Sequence, residues 1–242
     1  MGQYNQGGIQ DFGLAQSSSR VELRPLMRLV YLWMFFGLLT TAIVSSFIAT
    51  SEGLVATIAP LVLPLFILEI FLVMGLRGAL SRATPTMGAI VFFVYAAING
   101  LTLGVLFWVY IANGQSSAIA SAFFTTAGLF GAMTLVGYTT QVDLTKFSSF
   151  FLMALIGLFI ALIVNMFMRS PALDYVISVV GVLLFTALTA YDTQRIKEMA
   201  SLPEFSQYGD ATTKMAIYGA LILYLDFINL FIYLLRLFGR RN

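Results

Sequence analysis

An all-α membrane protein with seven transmembrane helices follows from three features of the chain. Hydrophobic residues fill 60% of the 242 positions and charged residues only 10%, against about 45–50% and about 25% in ordinary soluble domains. The apolar residues fall into seven runs, each near the roughly 20 residues that a helix needs to cross about 30 Å of hydrocarbon. Thirteen basic and eleven acidic side chains are too few to dress the surface of a water-soluble fold of this size, so lipid is the solvent.

The elements follow in chain order. The first 24 residues are rich in Gly, Gln and Ser without an apolar period, and read as a disordered polar cytoplasmic tail. No compact charged region precedes the first full-length apolar run, so it is not a cleavable signal peptide; Gln6 replaces the Ser or Thr that myristoylation requires. Residues 25–242 then form one seven-helix domain, with spans expected at Val30–Ala49, Leu54–Leu76, Met87–Ala112, Ala118–Tyr138, Ser148–Met168, Tyr175–Ile196 and Met215–Phe238. Pro60 and Pro64 near one end of the second span predict a kink or freed carbonyls. The third carries Gly100-Leu-Thr-Leu-Gly104, a small-residue contact for close helix packing. Connections are short except that between the sixth and seventh spans, which holds Pro203 and Gly209.

Basic residues set the orientation. Nine lie on the side of the N-terminus, in the tail and the second, fourth and sixth loops, and four on the other side: Arg169, Arg236, Arg240 and Arg241. The N-terminus is therefore expected in the cytoplasm, although three arginines at the C-terminus sit on the side where such charge is disfavoured. The basic residues are scattered between spans rather than gathered in a patch, so nucleic acid is not a partner. Absence of any Asn-x-Ser/Thr site fits a bacterial chain.

Cys and His are both missing, which removes disulfides, zinc sites built on Cys or His, and imidazole or thiolate catalysis. Proton chemistry has to run on carboxylates. An ionisable residue inside a span is costly and marks a functional site by default; Glu69, Asp192 and Asp226 qualify. Asp226 lies in Leu221-Ile-Leu-Tyr-Leu-Asp-Phe-Ile-Asn with no basic residue within two turns. Eleven residues from Met215 place it about 16 Å into the helix, where a bare carboxylate must protonate or find a partner; a neutral Asp bonded to a neighbouring helix for packing is the plainer account. Asp192, in Thr189-Ala-Tyr-Asp-Thr-Gln-Arg, lies about 10 Å inside the sixth span. Alone it reads as an interfacial partner of Arg195 at i+3.

The two aspartates sit at depths about one turn apart on helices expected to be antiparallel, close enough to face one another. Two carboxyls in contact at low dielectric cannot both ionise; they share one proton and titrate as a unit. Protonated, the pair ties two helices together; doubly ionised, it repels them and offers oxygens to a hard cation such as calcium. Glu69 either lines a cavity or makes a buried structural hydrogen bond, and Asn99, Asn165 and Asn229 serve equally as cavity acceptors or as glue between helices. Asp143 and Asp174 fall in short loops and need no special role.

Tyr224-Leu-Asp-Phe-Ile-Asn-Leu-Phe231 followed by Leu234-Leu235-Arg236 resembles the last helix of the Bax inhibitor-1 (transmembrane BAX inhibitor motif) family. Thr186-Ala-Leu-Thr-Ala-Tyr-Asp-Thr-Gln-Arg-Ile196 is similar to that family's other signature. The likeness runs from about Val21 to Gly239, of the bacterial type, and implies a last helix in the centre of six others. It further implies that Asp192 and Asp226 are a pH sensor closing a calcium leak path and touching the transported ion, with no cofactor. An arginine near the end of the second span latches onto that sensor in the family; alignment from Tyr95 and Gly100 gives Arg82, with Arg77 in reserve. The long sixth loop with Gly209-Asp210 is similar to bacterial members that bind and restrain a membrane-anchored AAA protease.

Two functions are thus expected as alternatives: a proton-sensitive calcium leak channel in a bacterial inner membrane, or a regulatory membrane protein that binds and modulates a membrane-anchored AAA protease or another membrane partner, such as a death-regulating one. An enzyme is not expected. Intramembrane aspartyl proteases carry a Gly-x-Gly-Asp-type sequence, whereas Asp192 follows Ala190-Tyr191 and Asp226 follows Tyr224-Leu225.

Overall fold

The computed structural model describes residues 23–79, 84–201 and 209–240. Among these residues there is no strand, and seven helical segments are long and apolar enough to cross a membrane. The helices are α1 (Leu23–Ala49), α2 (Glu52–Ile58), α3 (Val62–Ala79), α4 (Pro85–Ala112), α5 (Ser116–Thr139), α6 (Ser148–Met168), α7 (Pro171–Ala200) and α8 (Asp210–Phe238). The second span is α2 and α3 together. Pro60 lacks the N–H that would continue α2, and a 3-10 turn over Ala59–Leu61 bridges the break. The tail expected over 1–24 lies outside the described residues up to Glu22; Leu23 and Arg24 already belong to α1.

The helix starts are written in capping residues. Thr84 accepts the Met87 amide and Pro85 fills the first turn of α4. Ser170 accepts the Leu173 amide, and Pro171 does the same for α7. Consequently α7 starts four residues before the span expected from Tyr175, and Asp174 lies in its first turn rather than in a loop. At the other end α7 runs on to Ala200 and α8 starts at Asp210. The sixth connection is therefore shorter than the apolar runs alone suggested.

The last helix is the hub. Of its most apolar stretch 67% is buried, against 6% in the second and fifth spans, which face lipid. α7, α1, α5 and α4 pack directly on α8, α6 packs on the outside of α7, and α3 leans on α4. α1 crosses α4 closely. There a Cβ on Gly100 would stand 2.7 Å from Val44 Cβ, and one on Gly104 2.6 Å from Ile48 Cβ. This is the close approach that small residues four apart permit in a bilayer.

Candidate functional site

α7 and α8 run antiparallel, and their register is fixed by three contacts. Ile196 rests against Gly219, the Tyr233 ring covers Gly181, and Phe185 stacks on Tyr233 at 5.7 Å. A side chain at Gly181 would meet the Tyr233 ring at 2.6 Å, so the ring packs directly on the α7 backbone and opposes sliding of the two helices. Between these anchors Asp192 comes opposite Asp226, and the two carboxyls lie within hydrogen-bond reach of each other. Asp226 is 4% exposed and Asp192 9%. The Asp226 Oδ2 atom meets no hydrogen-bond partner. Arg195, the surface partner considered for Asp192, is exposed.

Two hydroxyls on α7 near the pair bond their own helix: Thr189 Oγ1 donates to the Phe185 carbonyl and Thr193 Oγ1 to that of Thr189. Tyr191 packs its ring on Phe151 at 5.0 Å. Gln194 has a role the sequence reading missed. Its Oε1 accepts the Leu144 amide at 2.7 Å and its Nε2 donates to the Val142 carbonyl at 2.8 Å. The α5–α6 connection is thus stapled to α7 two residues beyond Asp192. Lys197 adds a bond to the Tyr138 carbonyl at 2.8 Å and sits over that ring. In that connection Asp143 caps a 3-10 turn over Leu144–Phe147, and the Thr145 hydroxyl and amide hold its carboxyl below the usual carboxylate range.

A second polar cluster lies on a different face of α8. Glu69, Asn99 and Asn229 line one cavity of about 480 Å³ between α3, α4 and α8, together with Tyr95, Thr102 and Arg236. Thr102 Oγ1 lies 3.2 Å from Glu69 Oε1 and 2.9 Å from the Asn99 carbonyl. Asn99 Oδ1 is buried without a partner. Asn229 donates to the Leu225 carbonyl one turn back. Asn165, the remaining asparagine, accepts the Ser170 amide through its side chain where α6 ends.

The C-terminal end of α8 is tied down by three elements. Asp174 pairs with Arg236 at 3.7 Å and with Arg240, and Arg240 also donates to the Pro171 carbonyl at 2.6 Å. Tyr110 and Gln115 donate to the Leu235 and Gly239 carbonyls at 3.3 and 2.8 Å. Two of the C-terminal arginines that strained the charge rule therefore have a carboxylate partner. The signal for it was present: Ser170-Pro171 opens a helix, and an acid in its first turn faces the last turn of an antiparallel neighbour.

Of the two latch candidates, Arg82 lies outside the described residues, and Arg77 is placed only by its backbone in α3. Among the described residues no group of three acidic side chains gathers that would cage a metal ion.

The family model described as "Inhibitor of apoptosis-promoting Bax1" matches residues 23–242. "Inner membrane protein YbhL" of Escherichia coli K12 is 42% identical over 226 residues, which cover 92% of this chain and 94% of the relative. An "Uncharacterized protein" of Deinococcus radiodurans is 38% identical over 97% of this chain and 98% of its own length. For "Uncharacterized protein RP147" of Rickettsia prowazekii the identity is 38%, over 91% of both.

Proposed function

The chain belongs to the Bax inhibitor-1 family and is a multi-pass membrane protein, and on that premise we propose that it is a pH-sensitive calcium leak channel gated by Asp192 and Asp226. The observation that carries this reading is the pair itself: two buried carboxyls face each other across the α7–α8 seam with one Asp226 oxygen left unpartnered. A packing role needs one polar residue and its partner; two acids in contact need a proton as well. Gain or loss of that proton changes the seam between a bonded state and a repelling one.

The cavity around Glu69 supplies the rest of a path. It brings a carboxylate, two amides and a hydroxyl to the flank of α8 in a lining that is otherwise largely apolar and shared with Arg236, and such oxygens are ligands a hard cation accepts. Leu225 and Ile228 belong to its wall and adjoin Asp226 in sequence, so a rotation of α8 about its anchored C-terminal end joins cavity and pair. Titration at the pair would then decide whether the path is continuous. In this reading the protein stands in a bacterial inner membrane, as the name of its Escherichia coli relative suggests, with its N-terminus cytoplasmic on the distribution of basic residues.

The test is calcium flux into liposomes containing the purified protein, followed from pH 5 to pH 8. Wild type is expected to change its flux across this interval, whereas Asp192→Asn and Asp226→Asn each give a flat profile. Wild-type flux no greater than that of empty liposomes overturns the channel. A pH profile that Asp226→Asn leaves unchanged overturns the gate.

A further inference from the structure

α1 and α5 both pack on α8 and make little contact with each other. The space between them is a partly open cleft of about 470 Å³, lined by residues between 38 and 46 of α1 and between 116 and 124 of α5, with Leu103, Phe107 and Ile111 of α4 and Phe227, Ile228 and Phe231 of α8. No charged side chain lines it. Of its four hydroxyl residues, two are engaged within the protein: Thr41 Oγ1 bonds the Ala96 carbonyl and the Tyr224 hydroxyl, and Ser45 Oγ donates to the Ala42 carbonyl, while Ser46 and Ser116 also lie along it. What remains is a largely apolar trough about 12 Å long, the rise of eight helical steps along each wall.

Its position decides what fills it. The trough lies within membrane-spanning helices, and residues at its mouth face lipid, with Phe124 73% and Phe123 49% exposed. Neighbouring Ile43 on α1 is 61% exposed. Water gains nothing from an apolar wall without polar partners, and an empty trough of this size forfeits the dispersion contacts of every atom around it. An elongated apolar slot open to the hydrocarbon layer matches a flexible chain and not a compact solute. We propose that the α1–α5 cleft binds one acyl chain of a membrane phospholipid, which lies along α8 against Phe227 and Phe231. The same two rings pack on Phe130 and Phe107, at 5.5 and 5.8 Å, so the bound chain completes an aromatic layer around the central helix. The site does not depend on the aspartates being a gate.

The test uses full-length protein in phosphatidylglycerol–phosphatidylcholine vesicles whose chains carry bromine at mid-length, a contact quencher of indole fluorescence. In a Trp33→Phe, Trp108→Phe background, Phe231→Trp reports from the floor, where the native side chain is 4% exposed, and Phe167→Trp from the lipid face, where it is 76% exposed. Phe231→Trp is expected to be quenched about as strongly as Phe167→Trp. Adding Ala42→Phe and Ala120→Phe, which plug the walls, should cut quenching at the floor several-fold and leave Phe167→Trp unchanged. Absence of quenching at the floor, or quenching that the plug does not alter, overturns the site. Native mass spectrometry provides a readout free of the floor substitution. Wild type should retain one more phospholipid through detergent exchange than the Ala42→Phe, Ala120→Phe variant, and equal retention overturns the proposal.

Discussion

The Asp174 carboxylate in the first turn of α7 stands 3.7 Å from the Arg236 guanidinium in the last turn of α8. Each charge lies at the helix end that favours it, the acid at an N-terminus and the base at a C-terminus. The pair closes the α7–α8 seam at the end remote from Asp192 and Asp226, and so makes that end the fixed one. Both side chains are about a third exposed, at 28% and 37%, which limits what the bridge contributes. Asp174→Asn is expected to destabilise by about 0.5–1 kcal/mol. A double-mutant cycle with Arg236→Gln in detergent unfolding should return a coupling of similar size; zero coupling would make the bridge an ornament of the surface.

Gly104 and Gly128 predict opposite outcomes for one substitution. In α4 a Cβ on Gly104 collides with Ile48 at 2.6 Å, whereas in α5 a Cβ on Gly128 meets nothing within 4 Å. Gly104→Ala forces α1 away from α4 and should cost about 1–3 kcal/mol. Gly128→Ala reduces backbone freedom without a clash and should stabilise by roughly 0.5–1 kcal/mol. Thermal unfolding of both variants side by side checks the sign; two losses of equal size would mean that the α1–α4 contact is looser than described.

What the sequence made legible follows from the solvent. In hydrocarbon a helix has to satisfy its own backbone, so the apolar runs located all seven spans. For the same reason carboxylates such as Asp226 and Asp192 stood out within their runs. Their juxtaposition was also open to reading, because the helices that carry them are consecutive and antiparallel. Asp174 was hidden because the start of α7 was judged from its apolar run at Tyr175, while Ser170 and Pro171 open the helix earlier. Gln194 looked like one more polar residue near a helix end, since nothing in its spacing reveals that residues 142 and 144 fold back to meet it. Glu69, Asn99 and Asn229 were singled out one by one. That they share a cavity depends on how α3, α4 and α8 are rotated about their axes, which no local pattern encodes.

Asp143 gives a pH dependence whose sign follows from its contacts. Thr145 donates its hydroxyl to Oδ1 at 2.5 Å and its amide at 3.1 Å, and Lys146 stands 3.4 Å from Oδ2. All three favour the ionised acid, so its pKa in the folded turn is lowered from the ordinary value of 3.8. A lowered carboxylate supports the folded form above that ordinary value and ceases to do so as pH falls through its own, lower one. Hydrogen exchange in residues 142–148, corrected for intrinsic rates, should show the 3-10 turn protected at pH 6 and loosened as pH falls below the ordinary 3.8 and through the lowered value. In Asp143→Asn the protection should be lower throughout and no longer respond to pH.

The sign of the pH response at Asp192 and Asp226 reports whether the pair acts alone. If only the two carboxyls matter, removal of the shared proton sets two like charges against each other and flux rises with pH. A guanidinium latched to an ionised carboxylate reverses this, because protonation then releases the latch and flux rises as pH falls. Arg82→Ala and Arg77→Ala are expected to leave the sign unchanged in the first case. In the second, the arginine that serves as the latch is the one whose loss inverts or flattens the profile.

Glu69 separates conduction from gating. Its carboxylate faces the cavity between α3, α4 and α8, bonded to Thr102 at 3.2 Å. Glu69→Gln keeps an oxygen for Thr102 and nearly the same volume, so the fold should be unchanged. It removes the one acidic charge of that lining while Arg236 remains. A cation crossing the cavity then loses an attraction that at about 4 Å and intermediate dielectric is worth a few kcal/mol before screening. Calcium flux should fall roughly tenfold, about 1.4 kcal/mol in the barrier, with the pH at which flux changes left where it was. Asp226→Asn should do the reverse, abolishing the pH response without narrowing the path. Flux from Glu69→Gln equal to wild type at every pH would place the ion elsewhere and leave the cavity as a packing defect between α3 and α8.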